Sequence, residues 1–325
     1  MKKIITITFL TLCILSCKDK QDARNEKQVK VQAKKELSIE DIIKEDAEIE
    51  ELASDFQFLE GPIWDKNNNR LIFSEVMANK LHQWSPSTGV ELFLEPSWYA
   101  GGNTFDAYGN IISCQGGARQ IARIKPDKSF EVITNNYQGK KFNSPNDVVV
   151  KSDGTIWFTD PDYGLLATYG DKANDYKELD AYHIFKYDPK TNETVSVNAI
   201  LSKPNGLVFS KDESKLYVGN SNEGDRKLVV FDVTAENTLF DMKVLNTIDS
   251  KTWGIDGLKI DKESNLYAAC GDGVTIFTSE GKLIGKIKTN FEVTNLCFGG
   301  TDNKTLFLTS HTSLYSVPVL IAGNY

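Results

Sequence analysis

Six times along the chain a short strand-like run of β-branched and aromatic residues returns at spacings of roughly 40–60 residues. The runs are R-L-I-F-S (70–74), N-I-I-S-C (110–114), T-I-W-F-T-D (155–160), K-L-Y-V-G-N (215–220), N-L-Y-A-A-C (265–270) and T-L-F-L-T-S (305–310). Most are followed by a second run, such as H-I-F-K-Y-D or L-V-V-F-D-V, across Asp-Gly, Gly-Asn or Lys-Asp turns. Self-similar units of this length mark a repeat architecture, because one unit cannot bury its apolar face alone. No helical periodicity is sustained after residue 55. Several strands per unit and six units predict an all-β fold, a six-bladed β-propeller, in which only short edges stay unpaired. The stretch Phe56–Leu59 is the expected strand that completes the last blade and closes the ring.

The residues ahead of these strands point to function. Aligned, the units present Glu60, Asn103, Asn146, Asn205, Asp256 and Asn295, at intervals of 39 to 59 residues. The innermost strand of each blade runs along the central channel, so equivalent positions converge on its axis and six oxygen-bearing side chains are expected around one mouth. Asn or Asp before Gly also starts turns, which would account for Asn205-Gly206 and Asp256-Gly257. It does not account for Glu60 before Gly-Pro or Asn295 before Leu. Carboxylate and amide oxygens without Cys or His form a hard ligand set suited to Ca²⁺ first, with Mg²⁺ or Mn²⁺ as alternatives and Zn²⁺ at the margin. A metal site in the central channel is therefore expected.

Other classes fall away. A net charge of −8 and no Lys/Arg patch with interleaved aromatics exclude a nucleic-acid surface. Cys114, Cys270 and Cys297 are widely spaced within strand-like runs and read as small buried residues, neither a disulfide framework nor a zinc site. No G-x-S-x-G or H-E-x-x-H occurs, and there are three histidines, His82, His183 and His311. His183, in a strand, reads as packing, whereas His311 could face the channel mouth. The D-K-A-N-D-Y-K-E-L-D stretch (171–180) lacks the Gly and Glu of an EF-hand loop.

The N-terminus is a separate matter. Lys2 and Lys3, an apolar run from Ile4 to Leu15 and Ile-Leu-Ser-Cys at 14–17 have the pattern of an export signal, too short for a membrane span. The ending resembles a bacterial lipoprotein signal, with Cys17 as the lipidated residue. The expected organisation is a signal over 1–17, a charged tether over 18–54 and the propeller over 55–325. The protein would then be exported and held at a bacterial cell membrane by its lipid alone, as a monomer.

The chain from about Phe56 to Val317 resembles the senescence marker protein/gluconolactonase/luciferin-regenerating enzyme family. The matching motifs are L-E-G-P-I-W (59–64), G-N-T-F-D (102–106), S-P-N-D-V-V-V-K-S-D-G-T-I-W-F-T-D-P-D-Y-G (144–164), P-N-G-L-V-F-S (204–210) and G-I-D-G-L-K-I-D (254–261). The resemblance implies a six-bladed propeller with one catalytic divalent cation, metal-ligand roles for Glu60, Asn205 and Asp256, and Asn146 as ligand or substrate contact. It also implies acid/base duty for Asp147, although strand alternation turns that residue away from the axis. Asn103 and His311 are candidate substrate contacts. Gln115 to Arg119 stand where many relatives carry Glu-His-Gly.

A dication held by two carboxylates keeps positive charge, polarises a carbonyl and acidifies water. A carboxylate within reach, Asp256 or Asp147, would move the proton. The expected activity is opening of a sugar lactone. The alternatives are phosphoester hydrolysis on the same scaffold, as in relatives resembling diisopropyl fluorophosphatase, and a non-catalytic ligand-binding propeller with a structural metal. The longest interval, between Asn146 and Asn205, carries its excess at about Tyr163–Asp180 and reads as a lid. Tyr163 and Tyr176, with Trp98, Tyr99 and Trp253, could wall the site.

Overall fold

The computed structural model describes residues 36–249 and 254–324; the proposed anchor Cys17 and the aromatic Trp253 lie outside the described residues. Leu37–Tyr325 form one compact unit. Among the described residues its main elements are six four-stranded antiparallel sheets. Five are consecutive in sequence, with innermost strands Leu59–Asp65, Ala100–Phe105, Val148–Val150, Pro204–Phe209 and Leu258–Ile260. The sixth pairs Val293–Gly299, Thr305–Ser310 and Leu314–Pro318 with Glu50–Ala53 from the other end of the chain. Each innermost strand packs on the next, and that of the sixth blade returns to the first. The ring is closed: an all-β six-bladed propeller.

The closing strand differs from the expected one. Glu50–Ala53, within the stretch assigned to the tether, pairs with Leu314–Ser316. Leu59, at the end of the stretch assigned to closure, instead opens the innermost strand of the first blade. An outermost strand needs no apolar alternation, because both of its faces are half covered at best. Here Glu50 and Glu51 are exposed and Leu52 is partly buried among Leu59, Phe73 and Leu314. The tether ends earlier still. A 3-10 turn at Ile39–Asp41 leads to Ile42, which is fully buried against Tyr267, Leu296 and Phe298. Ile42 also accepts the Leu320 N–H at 2.8 Å.

A chain beginning at Ser54 would lose this contact and leave the sixth blade with three strands. Burial of Ile42, with partial burial of Ile39, Ile43, Ile49 and Leu52, at about 1–3 kcal/mol per fully buried side chain, predicts a loss of roughly 4–6 kcal/mol in urea unfolding. A chain beginning at Leu37 should match the full-length protein; equal stability of both truncations would show that the segment contributes nothing.

Packing between blades supplies the core. Trp157, Leu207 and Phe231 fill one interface, and Tyr267, Leu296 and Leu308 another. Cys114, Cys270 and Cys297 are buried and free. The segment read as a lid holds an α-helix, Tyr163–Tyr169, continuing into a 3-10 helix, Gly170–Tyr176. Its Y-G-L-L-A-T-Y sequence has a Gly at the second position, and no capping hydrogen bond forms at its start. The local signal for a helix is thus limited to Asp162 at its N-cap.

Candidate active site

The innermost strands all point the same way along the channel, so their beginnings share one mouth and their ends the other. A cavity of about 670 Å³ at the first mouth is lined by Glu60, Gly101, Asn146, Asn205, Asp256 and Thr294, one from each blade. A second cavity of about 660 Å³ lies at the opposite end, among Ile63, Thr104, Val149, Val208, Ile260 and Phe298.

Hydrogen bonds between neighbouring blades fix the ring of equivalent residues. Gly102 N–H donates to Asn146 O at 2.7 Å, Gly206 N–H to Asp256 O at 2.8 Å and Gly257 N–H to Thr294 O at 3.0 Å. The sixth blade meets the first through Thr294 Oγ1, which donates to Leu59 O at 2.6 Å. The glycines after Gly101, Asn205 and Asp256 are required by this approach and not by a turn. A Cβ on Gly206 would lie 2.1 Å from Asp256 O, and one on Gly257 2.2 Å from Asn295 Oδ1. Asn205-Gly206 and Asp256-Gly257 are thus an inward side chain followed by a contact residue. Breaks in strand register at Glu60/Ile63 and Pro204/Leu207 give the backbone the local bend that aims these side chains.

The ring corrects two expected members. Asn103 is two residues past Gly101, the mouth position of its blade, and lines the opposite cavity. Its Nδ2 donates to Gly61 O, Gly101 O and Ser74 Oγ, so it ties the first two blades together. Asn295 is one residue past Thr294, and its Nδ2 donates to Glu60 Oε2 at 2.9 Å. It braces a mouth carboxylate from behind. Both offsets sit at register breaks, between Ala100 and Asn103 and between Val293 and Asn295.

Asn146 is carried by a loop that the long central motif builds. Asp160 is fully buried, and its two carboxylate oxygens accept Asn143 N–H and Ser144 N–H, each at 2.7 Å. Ser144 Oγ in turn accepts Gly164 N–H at 2.8 Å, which pins the start of the lid helix. The S-P-N-D and D-P-D-Y-G halves of the motif therefore interlock, and together they place Asn146 and Tyr163 on the cavity wall.

The electrostatics of the mouth are unbalanced. Burial pushes the Glu60 carboxyl up to about 7, against hydrogen bonds from Asn295 and Gly61. Burial and then the Glu60 charge hold Asp256 well above the usual carboxyl range, against a hydrogen bond from Asn205. Asp147 is also raised, by burial, with Lys259 opposing. It does not line the mouth: it is 2% exposed, its Oδ1 accepts Val148 N–H at 2.9 Å, and its Oδ2 faces Lys259 Nζ at 4.0 Å. Two carboxylates that disfavour each other's charge, beside two amides, fit a site for a cation. Among the described residues no three His, Cys, Asp or Glu side chains gather as a metal cluster, so amide oxygens would have to complete the set.

The remaining candidates divide. His311 lines the cavity at its rim, packed on Phe58 with ring centroids 5.0 Å apart and 3.5 Å from Glu292. Tyr99 and Tyr163 line the cavity as well. Trp98 packs on Phe130 at 4.0 Å, and Tyr176 stacks on Tyr169 at 3.7 Å. Tyr163 shares the cavity wall with Asn205 and Ser221, a meeting of the insertion with the mouth that sequence pattern does not disclose.

Comparison with known proteins agrees with this architecture. The sequence model described as SMP-30/Gluconolactonase/LRE-like region matches residues 58–312. A gluconolactonase of Zymomonas mobilis is 35% identical over 291 residues, covering 83% of this chain and 80% of its own. The structure of a gluconolactonase from Xanthomonas campestris superposes with a TM-score of 0.79 at 28% identity, over 87% of this chain and 92% of the other. A calcium-binding regucalcin from Agrobacterium tumefaciens superposes with a TM-score of 0.69, over 84% of this chain and 94% of its own. At 16% identity that last likeness is one of fold alone.

Proposed function

Because the chain belongs to the SMP-30/gluconolactonase/LRE-like family, we propose that it hydrolyses a sugar lactone at the channel mouth with the help of one divalent cation. The observation that carries this reading is the convergence of Glu60 and Asp256 with Asn146 and Asn205 on one cavity, from four different blades.

Glu60, Asn205 and Asp256 would hold the cation, with Asn146 as a fourth ligand or as a contact to the lactone. When bound, the cation supplies Lewis acidity toward the lactone carbonyl and toward water. The chain's own residues do the rest. A mouth cavity of about 670 Å³ is ample for a single sugar ring. Its apolar side, Phe58, Val76, Met77 and Ala167, covers one face of the ring, and His311 stands at the rim. Water adds to the carbonyl carbon, and the bond from that carbon to the ring oxygen breaks. One proton must leave the water, and one must reach the departing alkoxide. Asp256 lines the cavity, whereas Asp147 is buried away from it and engaged with Val148 and Lys259. Proton transfer is therefore assigned to Asp256.

The test is a panel of aldonolactones and phosphotriesters, followed by acid release with a pH indicator at saturating Ca²⁺. Turnover of at least one aldonolactone well above its spontaneous rate, with phosphotriesters at background, is expected. Turnover of phosphotriesters alone, or of nothing, would overturn the lactonase reading.

A further inference from the structure

We infer that the rim of blade two, where Tyr99 is seated against Gly117, is a subsite for a second sugar unit, and that the preferred substrate is the δ-lactone of an oxidised disaccharide. This rests on the lactonase reading above.

Trp98 and Tyr99 are consecutive bulky residues in the left-handed region, with φ of 57° and 55°. Side chains of this size are outliers there. Such strain persists only where the surroundings impose it, and it gathers where a protein must aim a group. Here one residue of blade one imposes it. The Asn79 carbonyl accepts Ser97 N–H at 3.0 Å, and Asn79 Oδ1 accepts Tyr99 N–H at 2.8 Å, on either side of Trp98. Trp98 itself is anchored on Phe130. The product of this clasp is the Tyr99 ring on the cavity wall. The ring rests against Gly117, where a Cβ would lie 2.5 Å from Tyr99 Cδ2. Tyr99 nevertheless stays 48% exposed, so burial in the core does not account for the strain.

The place suits one part of a substrate. Tyr99 stands two residues ahead of Gly101, the mouth position of blade two, and the innermost strands begin at this mouth. Its ring therefore lies outward of the carboxylates, and Gly101 puts no side chain in the way. In a six-membered aldonolactone the carbonyl carbon and carbon 4 are across the ring from each other. A carbonyl turned toward Glu60 and Asp256 sends a substituent on carbon 4 out toward the rim. A glycosyl unit there meets an aromatic face with its C–H side and water with its hydroxyls. Met77, which lines the same cavity and is 52% exposed, adds apolar surface. A volume of about 670 Å³ lies within the range of cavities that enclose ligands larger than one sugar ring.

The experiment compares kcat/KM for the δ-lactones of cellobionic acid and gluconic acid at saturating Ca²⁺, after subtraction of the spontaneous rates, in full-length wild type and Tyr99→Asn. The wild type should favour the disaccharide lactone by at least about 10-fold, the scale of one good contact in a pocket. Tyr99→Asn removes the ring and places a residue that tolerates the left-handed backbone. Its ratio should fall close to one, through a higher KM for the disaccharide lactone and not through kcat. Gly117→Ala, which unseats the ring without removing it, should lower the ratio in the same direction and serves if Tyr99→Asn does not fold. A wild-type ratio of one or below, or a wild-type ratio retained in whichever variant folds, would overturn the inference alone. Hydrolysis of neither lactone by the wild type would overturn it together with the lactonase reading.

Discussion

Asp256→Asn should produce a protein that is more stable than the wild type in the absence of metal and nearly devoid of lactonase activity. The substitution keeps size and hydrogen-bonding shape but removes one of two carboxylates that burial and mutual repulsion disfavour. A carboxyl whose folded pKa is raised destabilises the folded state at neutral pH, so its removal should add about 1–2 kcal/mol in urea unfolding of stripped protein. The same removal takes away a cation ligand and the group assigned to proton transfer. A loss of at least about 10³-fold in kcat/KM, or about 4 kcal/mol of transition-state stabilisation, is expected. A variant that kept a tenth of wild-type activity, or that was less stable than the wild type, would place the reacting groups elsewhere.

The second large effect lies away from the cavity. In Asp160→Ala, the Asn143 and Ser144 N–H groups lose their acceptors while remaining buried. Unsatisfied buried donors cost about 1–3 kcal/mol each, so a loss of about 3–5 kcal/mol is expected, with a fall in Tm on the order of 10 °C. The loop that carries Asn146 would shift as well, and a displacement of about 1 Å can cost on the order of 100-fold in rate. Unchanged Tm in differential scanning calorimetry would refute the structural role.

Asp160 also gives stability a pH dependence of definite sign. Burial pushes its carboxyl up to about 7 from an ordinary 3.8, against the two N–H donors and Arg119. The folded state therefore binds more protons than the unfolded chain between those values. The penalty is absent at pH 4 and below, grows as pH rises toward 7, and is constant above. Asp153 and Asp212, held at about 2 chiefly by Thr155 and Ser210, act in the opposite direction and lose their contribution below about pH 4. Maximum stability should fall near pH 4–5, and Asp160→Asn should flatten the decline toward neutrality.

The blade repeat was open to sequence reasoning because each inner strand buries both faces and must recur as an apolar run. Four mouth residues, Glu60, Asn146, Asn205 and Asp256, were in register for the same reason. Blades two and six misled because the mouth positions there are Gly101 and Thr294. A glycine has no side chain to notice, and the nearby Asn103 and Asn295 look like the missing members. The closing strand Glu50–Ala53 is half exposed and charged, so it carries no pattern. Tyr163 was visible as an aromatic in a long insertion, but its place beside Asn205 on one cavity wall joins the insertion of blade three to blade four. No spacing rule reports such a meeting.

The central claim, that Glu60, Asn205 and Asp256 hold a dication required for lactone hydrolysis, is tested most directly by stripping the full-length protein with EDTA and measuring aldonolactone hydrolysis as Ca²⁺, Mg²⁺ or Mn²⁺ is restored. Activity should fall to the spontaneous rate on stripping and return with one equivalent of bound cation per chain. Full activity in the stripped protein would contradict it.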